Sequence, residues 1–181
     1  FFAFFRRAAF DPGPLSLDVL LQESATYARS VGDSLKAQVY EALREVAQGF
    51  LDYPGNALAT DPATLKQIYD SSLIVLYRLL FILYAEAREL LPLRESAAYR
   101  DEYSLEAIKR EIVRRKAGGT PLLPTTARLW AKLRDLFQII DQGSPPLHVA
   151  TFNGGLFDGK KHQFLERHTV GDARLLEAID K

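Results

Sequence analysis

"SSLIVLYRLLFILYAEAREL", running from Ser71 to Leu90, is the stretch whose reading decides the fold. Between Leu73 and Ala85 its single charged side chain is Arg78, set among Leu, Ile, Val, Tyr and Phe. A helix crossing the hydrocarbon core needs about 20 apolar residues. This run is shorter, and an arginine in its middle is costly in lipid. The flanks point the same way. Thr60-Asp61-Pro62 is a helix start, with Asp or Thr as N-cap and Pro in the first turn. Leu65, Ile68, Tyr69, Leu73, Leu76, Leu80 and Leu83 recur at helical spacing, and Pro92 follows the end. The spacing predicts one helix from about Pro62 to Leu91. Because it is apolar on nearly every side, Leu76, Leu80 and Leu83 are expected to be buried among neighbouring helices.

Working outward, the same periodicity recurs on both sides. A helical pattern from about Leu15 to Val31 places Leu17, Leu20, Leu21, Ala25 and Ala28 on one side. A second, from about Asp33 to Leu51, aligns Leu35, Val39, Ala42, Leu43, Val46 and Phe50. Downstream, Ser104 is placed to cap a helix that turns Leu105, Ile108 and Ile112 inward and closes at Gly118-Gly119. Thr125 or Thr126 starts another, with Leu129, Leu133, Leu136, Phe137 and Ile140 on one stripe and Gly143 ending it. From Ser144 the texture changes to Pro, His, Asn and Gly, and Asp172 starts a last helix. The expected fold is mostly α: a multi-helix bundle around a central buried helix at about 62–91. An N-terminal strand remnant at Phe1–Phe10, broken by Asp11-Pro12-Gly13-Pro14, precedes the bundle, and a loop-rich C-terminal segment follows it.

The whole chain sets the bounds. At 181 residues it suits one domain, or one domain with parts of its neighbours. It opens without methionine, on "FFAFFRRAAF", and stops at Lys181 inside a helical pattern. The expectation is a piece of a longer protein. Its 23 basic and 23 acidic residues cancel, so any nucleic-acid contact must come from a local patch. With no cysteine, disulfides and thiolate metal sites are excluded.

Familiar catalytic patterns are missing. No Glu-x-Lys of a metal-dependent nuclease occurs, and Asp158-Gly159-Lys160 is a three-residue match on a loop. Gly118-Gly119 and Gly154-Gly155 fit no phosphate-binding glycine pattern, and no G-x-S-x-G elbow is present. His148, His162 and His168 have no metal-ligand spacing. Two features carry chemistry. Arg78 is a buried charge with no acid three or four residues away, so it needs a partner from another helix or a route to the surface. Lys109, Arg110, Arg114, Arg115 and Lys116 form a basic helix end, which reads either as a solvated C-terminus or as a DNA-backbone contact.

"IYDSSLIVLYRLLFILYAEARELLPL" resembles the helical segment of large bacterial single-chain restriction–modification enzymes of type IIG. It is similar also to that of the adenine methyltransferases of BREX and DISARM phage defence. The likeness continues in "SLKAQVYEALREVAQGFLD", "DEYSLEAIKREI" and "FNGGLFDGKKHQFLERHTVGDARLLEAIDK", in family order over nearly the whole chain. The resemblance implies a cytoplasmic parent protein that methylates adenine N6 with S-adenosylmethionine, and in many members cuts DNA with magnesium at an N-terminal nuclease domain. Neither the Asn/Asp-Pro-Pro-aromatic hallmark nor the glycine-rich cofactor motif occurs here, so no catalytic residue or cofactor carries over to this chain. On that reading residues 1–13 end a nuclease-like domain, 14–143 form a helical connector and 144–181 lead into the methyltransferase. The implied partners are those adjoining domains and double-stranded DNA, with no membrane. Asn153, Gly154 and Gly155 form a structural turn that needs positive φ. A helical protein–protein interaction module of an unrelated assembly is the alternative.

Overall fold

The structure is a computed structural model that describes residues 17–119, 123, 125–152 and 154–180. The expected strand over Phe1–Phe10 and its Asp11–Pro14 break lie outside the described residues. So do Asn153 and the side chains of Leu17, Leu20, Leu21, Ala25 and Ala28. Among the described residues the chain is mostly helical: α1 (Leu17–Asp52), α2 (Pro62–Ala87), α3 (Leu105–Ala117), α4 (Arg128–Gln142), α5 (Gln163–Arg167) and α6 (Asp172–Ile179). Two compact units divide it, Phe1–Tyr40 and Glu41–Lys181.

In the first unit the described side chains of α1 are exposed, Leu35 among them, save half-buried Val39. Sequence periodicity splits this region into two helices at Gly32-Asp33, whereas α1 is continuous. A glycine inside a helix costs only about 1 kcal/mol relative to alanine and keeps its backbone hydrogen bonds, so it need not break one.

The second unit holds the core. Ala42, Leu43, Val46 and Phe50 of α1 are buried as the sequence predicts. Phe50 meets Trp130 and Phe164 edge to face, with centroids 5.6 and 5.4 Å away. Gly49 is where α1 approaches the segment before α6: a Cβ there would lie 2.5 Å from Val170 Cγ1. Asn56 ties the same place, donating to the Phe50 and Thr169 carbonyls and accepting from the Thr169 N–H. Leu105, Ile108 and Ile112 of α3 are buried, as are Leu129, Leu133, Leu136, Phe137 and Ile140 of α4. α4 packs on α3 and α6, and α2 packs on α3 and α5. Residues 144–180 thus belong to the same compact unit as α2, α3, α4 and the end of α1 from Glu41 on.

α2 departs from expectation in two ways. It ends at Ala87, not Leu91, because Glu89 takes a left-handed φ of +57°. It is also one-sided. Ile68, Ser72, Val75, Leu76, Arg78, Leu79, Ile82, Ala85 and Glu86 are buried. Leu80 and Leu83, expected inside with Leu76, are 46% and 41% exposed. With Leu65, Tyr69, Tyr77 and Tyr84 they cover about 120° of the helix at 3.6 residues per turn. By length and composition α2 suffices to cross a membrane, which the shorter apolar run read from sequence does not. Its Ser72, Arg78 and Glu86 are nevertheless buried within the domain, an arrangement compatible with the core helix of a soluble protein.

Two helix starts are capped from afar. Ser104 accepts from Ala107 N–H, as the sequence predicts, and Glu86 adds its carboxylate: Oε1 accepts from Leu105 N–H at 2.8 Å and Oε2 from Glu106 N–H at 3.2 Å. At α4 the N-cap position is Ala127, not Thr125 or Thr126. The cap comes from Asp172, fully buried at the start of α6, which accepts from Arg128 and Leu129 N–H at 3.0 and 2.8 Å. Each carboxylate satisfies donors that a helix N-terminus otherwise leaves without partners.

Candidate functional site

Arg78 sits at the middle of the buried face of α2, 2% exposed. The sequence leaves Arg78 either a partner from another helix or a route to the surface; the structure gives it instead a backbone carbonyl of the loop before α5, with Nε donating to Leu156 O at 2.9 Å. The guanidinium lies over the rings of Phe137 (4.9 Å) and Phe157 (5.6 Å), a favourable placement for a cation. No carboxylate among the described residues lies within ion-pair distance of it. Nη2 is buried without a hydrogen-bond partner. Burial lowers the Arg78 pKa to about 10, against the pull of the Glu166 and Asp141 charges. His162, whose Nε2 meets Gly155 O at 3.1 Å, is held below the ordinary imidazole range by burial and by the Arg78 charge.

Arg78 lines a cleft of about 370 Å³ together with Trp130, Phe137, Phe157 and Glu166. Amphipathic periodicity fixes α4 so that one stripe packs inward, and this places Trp130 at 2% exposure against the cleft. Among the described residues its indole Nε1–H is the other buried side-chain donor without an acceptor. At the rim Arg134 donates to Glu166 at 3.2 Å, and Asp135 and Asp141 add two more carboxylates. Sequence reasoning singled out Arg78 but missed Trp130; the available signal was a lone tryptophan on an amphipathic helix.

The basic end of α3 is more neutralised than its composition suggests. Arg110 pairs with Glu106 at 3.2 Å and Asp101 at 3.6 Å. Arg115 pairs with Glu111 at 2.5 Å and is only half-exposed, against the full exposure its position at a helix end suggests. Glu111 also takes Lys132. Lys116 reaches Asp180, just past the end of α6, at 2.6 Å. Among the described residues Lys109 and Arg114 have no ion-pair partner. Both line a second, largely apolar groove of about 610 Å³ with Leu83, Ala87, Leu93 and Val113.

The remaining sequence candidates are turns. Gly155 has φ +72°, the left-handed value expected of the Asn153-Gly154-Gly155 turn, whereas Gly154 is not in that region. Asp158 closes its own turn by accepting from Lys160 N–H at 2.8 Å. His168 stacks on Phe164 with centroids 4.1 Å apart. No family model, characterised protein or solved structure matches this chain.

Proposed function

We propose that this chain is the helical connector of a bacterial, cytoplasmic restriction–modification or phage-defence protein. It holds a nuclease-like part and an S-adenosylmethionine-dependent adenine methyltransferase part in register; S-adenosylmethionine and magnesium act in those parts. The observation that carries the reading is the apolar outer face of α2. From Ser71 to Ala87 that face is Leu and Tyr without a charge, the composition of an interface core. Its opposite face is already committed to the core of the second unit. A helix so divided joins one packed body to another. The occupant we assign to the outer face is the adjoining methyltransferase part, and the order of the resembling segments supports that choice.

In this reading Lys109 and Arg114 supply what DNA-backbone contact the connector makes, since Arg110, Arg115 and Lys116 already have carboxylate partners. The same outer face also favours the alternative, a helical interaction module of an unrelated assembly. One experiment separates the two. Leu80→Glu is introduced into the longer protein and into the 181-residue chain, and adenine methylation and helix content are measured. The connector reading expects the isolated chain to keep its helicity while methylation by the longer protein falls at least tenfold. A longer protein without adenine methyltransferase activity, or one indifferent to the substitution, overturns it.

A further inference from the structure

Leu83 and Ala87 at the end of α2, Leu93 in the segment that follows and Val113 of α3 line a groove of about 610 Å³. Val113 is 61% exposed and Leu83 is exposed too, so the groove is open to solvent along its length. A small apolar molecule is held by burying most of its surface, which an open trough does not do. A helix with an apolar stripe covers such a trough. The charges beside it are unequally matched. Glu86 is buried and receives donors from Tyr99, Leu105 and Glu106. Glu106 and Arg110 pair with each other at 3.2 Å. Lys109 and Arg114 remain, two exposed cations without an ion-pair partner among the described residues. At 3.6 residues per turn they fall on opposite sides of Val113. We infer that this groove docks an acidic amphipathic helix, with its apolar stripe on Leu93 and Val113 and its flanking carboxylates on Lys109 and Arg114. A DNA duplex matches the two cations but sets phosphate and sugar against an apolar lining. A neutral apolar helix covers the lining but leaves both cations unmatched. Only a ligand apolar along one line and acidic beside it answers both. The inference does not rest on the connector reading; within that reading, the docked helix and DNA phosphate compete for the same two cations.

The ¹³C-methyl-labelled 181-residue chain reports on the groove through Leu93 and Val113, and on the outer face of α2 through Leu80. Three helical peptides about 15 residues long are the probes, at constant ionic strength. One carries leucine at i, i+4, i+7 and i+11 with glutamate beside that stripe. The second has lysine for glutamate, and the third serine for leucine. The acidic peptide should shift Leu93 and Val113 saturably, half-complete on the order of 0.1 mM. The lysine and serine peptides should bind about tenfold more weakly, which is the worth of two exposed charge contacts in the first case. Lys109→Glu with Arg114→Glu should reverse the order and favour the lysine peptide. No shift with the acidic peptide up to about 1 mM overturns the inference, as does an equal response to the lysine peptide. A shift centred on Leu80 places the peptide on the outer face of α2 and overturns it too. A duplex of about 15 base pairs that moves Val113 at lower concentration than the acidic peptide assigns the cations to phosphate, with the same consequence. Should the double variant lose its helical circular-dichroism signal, the probes on the native chain still decide.

Discussion

Glu86 and Arg78 lie two turns apart on the buried side of α2, and the protein treats them in opposite ways. The Glu86 carboxylate receives three donors, from Tyr99 Oη–H, Leu105 N–H and Glu106 N–H. Arg78 has one hydrogen bond, two aromatic faces and an unmatched Nη2 beside a cleft. A buried charge surrounded by fixed partners is part of the scaffold, since removing it strands every one of them. A buried charge with few partners strands little when it is removed. Burial alone therefore does not tell which charges the scaffold depends on; the count of matched donors and acceptors does.

The first way to break the comparison is Glu86→Leu, which should cost about 4 kcal/mol in urea unfolding. It leaves Leu105 N–H and the Tyr99 hydroxyl without their buried acceptor and uncaps α3. pH sharpens the point. Burial, outweighing its hydrogen bonds, holds the Glu86 carboxyl above its ordinary value of 4.5. The folded chain then binds this proton more tightly than the unfolded chain. Its contribution to stability falls as pH rises from below 4.5 through the folded value. Glu86→Gln should abolish that part of the stability–pH slope. A slope of opposite sign for this group would mean that its hydrogen bonds outweigh burial.

Next in size is a pair of neighbours on α2. Leu79, 7% exposed, should lose roughly 2–5 kcal/mol on change to Ala, while Leu80, 46% exposed, should lose under about 1 kcal/mol in the isolated chain. Equal losses would mean that the outer face is covered. The smallest effect concerns the basic end of α3. Arg114, Arg115 and Lys116 all changed to Ala should cost about 1 kcal/mol, because Arg114 has no ion pair among the described residues, the Lys116 pair is exposed and only the half-exposed Arg115–Glu111 pair contributes. In the longer protein, Lys109→Ala with Arg114→Ala should make the slope of log K against log salt for DNA binding shallower by at most about 1.8. An unchanged slope would leave this end a solvated helix terminus.

Amphipathic α3 and α4 were legible in the sequence, because polar residues fill the positions their apolar stripes leave and so mark which side faces the core. α2 was not. Apolar on most sides, it carries no periodic contrast, and of the three leucines expected inside only Leu76 is buried, while Leu80 and Leu83 are outside. Its true inner face is marked by the residues that a hydrophobic pattern discards: Ser72, Arg78 and Glu86. The α4 cap was missed for a different reason. A local rule finds Asp61, which caps Ala63 and Thr64 beside it, but not Asp172, which caps α4 from beyond α5. The candidate cleft was half legible. Arg78 stood out against its apolar neighbours, whereas nothing in the pattern of α4 set Trp130 apart, and only the fold leaves its N–H without an acceptor.

The contrast between the two buried charges is tested most directly by urea unfolding of Arg78→Met beside the native chain. The substitution replaces a poorly matched cation by an apolar side chain that fills similar space, and leaves only the Leu156 carbonyl to find a new donor. The account predicts a stability within about 1 kcal/mol of native, with either sign. A loss of about 3–5 kcal/mol, as breaking a buried ion pair gives, would contradict it and make Arg78 as structural as Glu86.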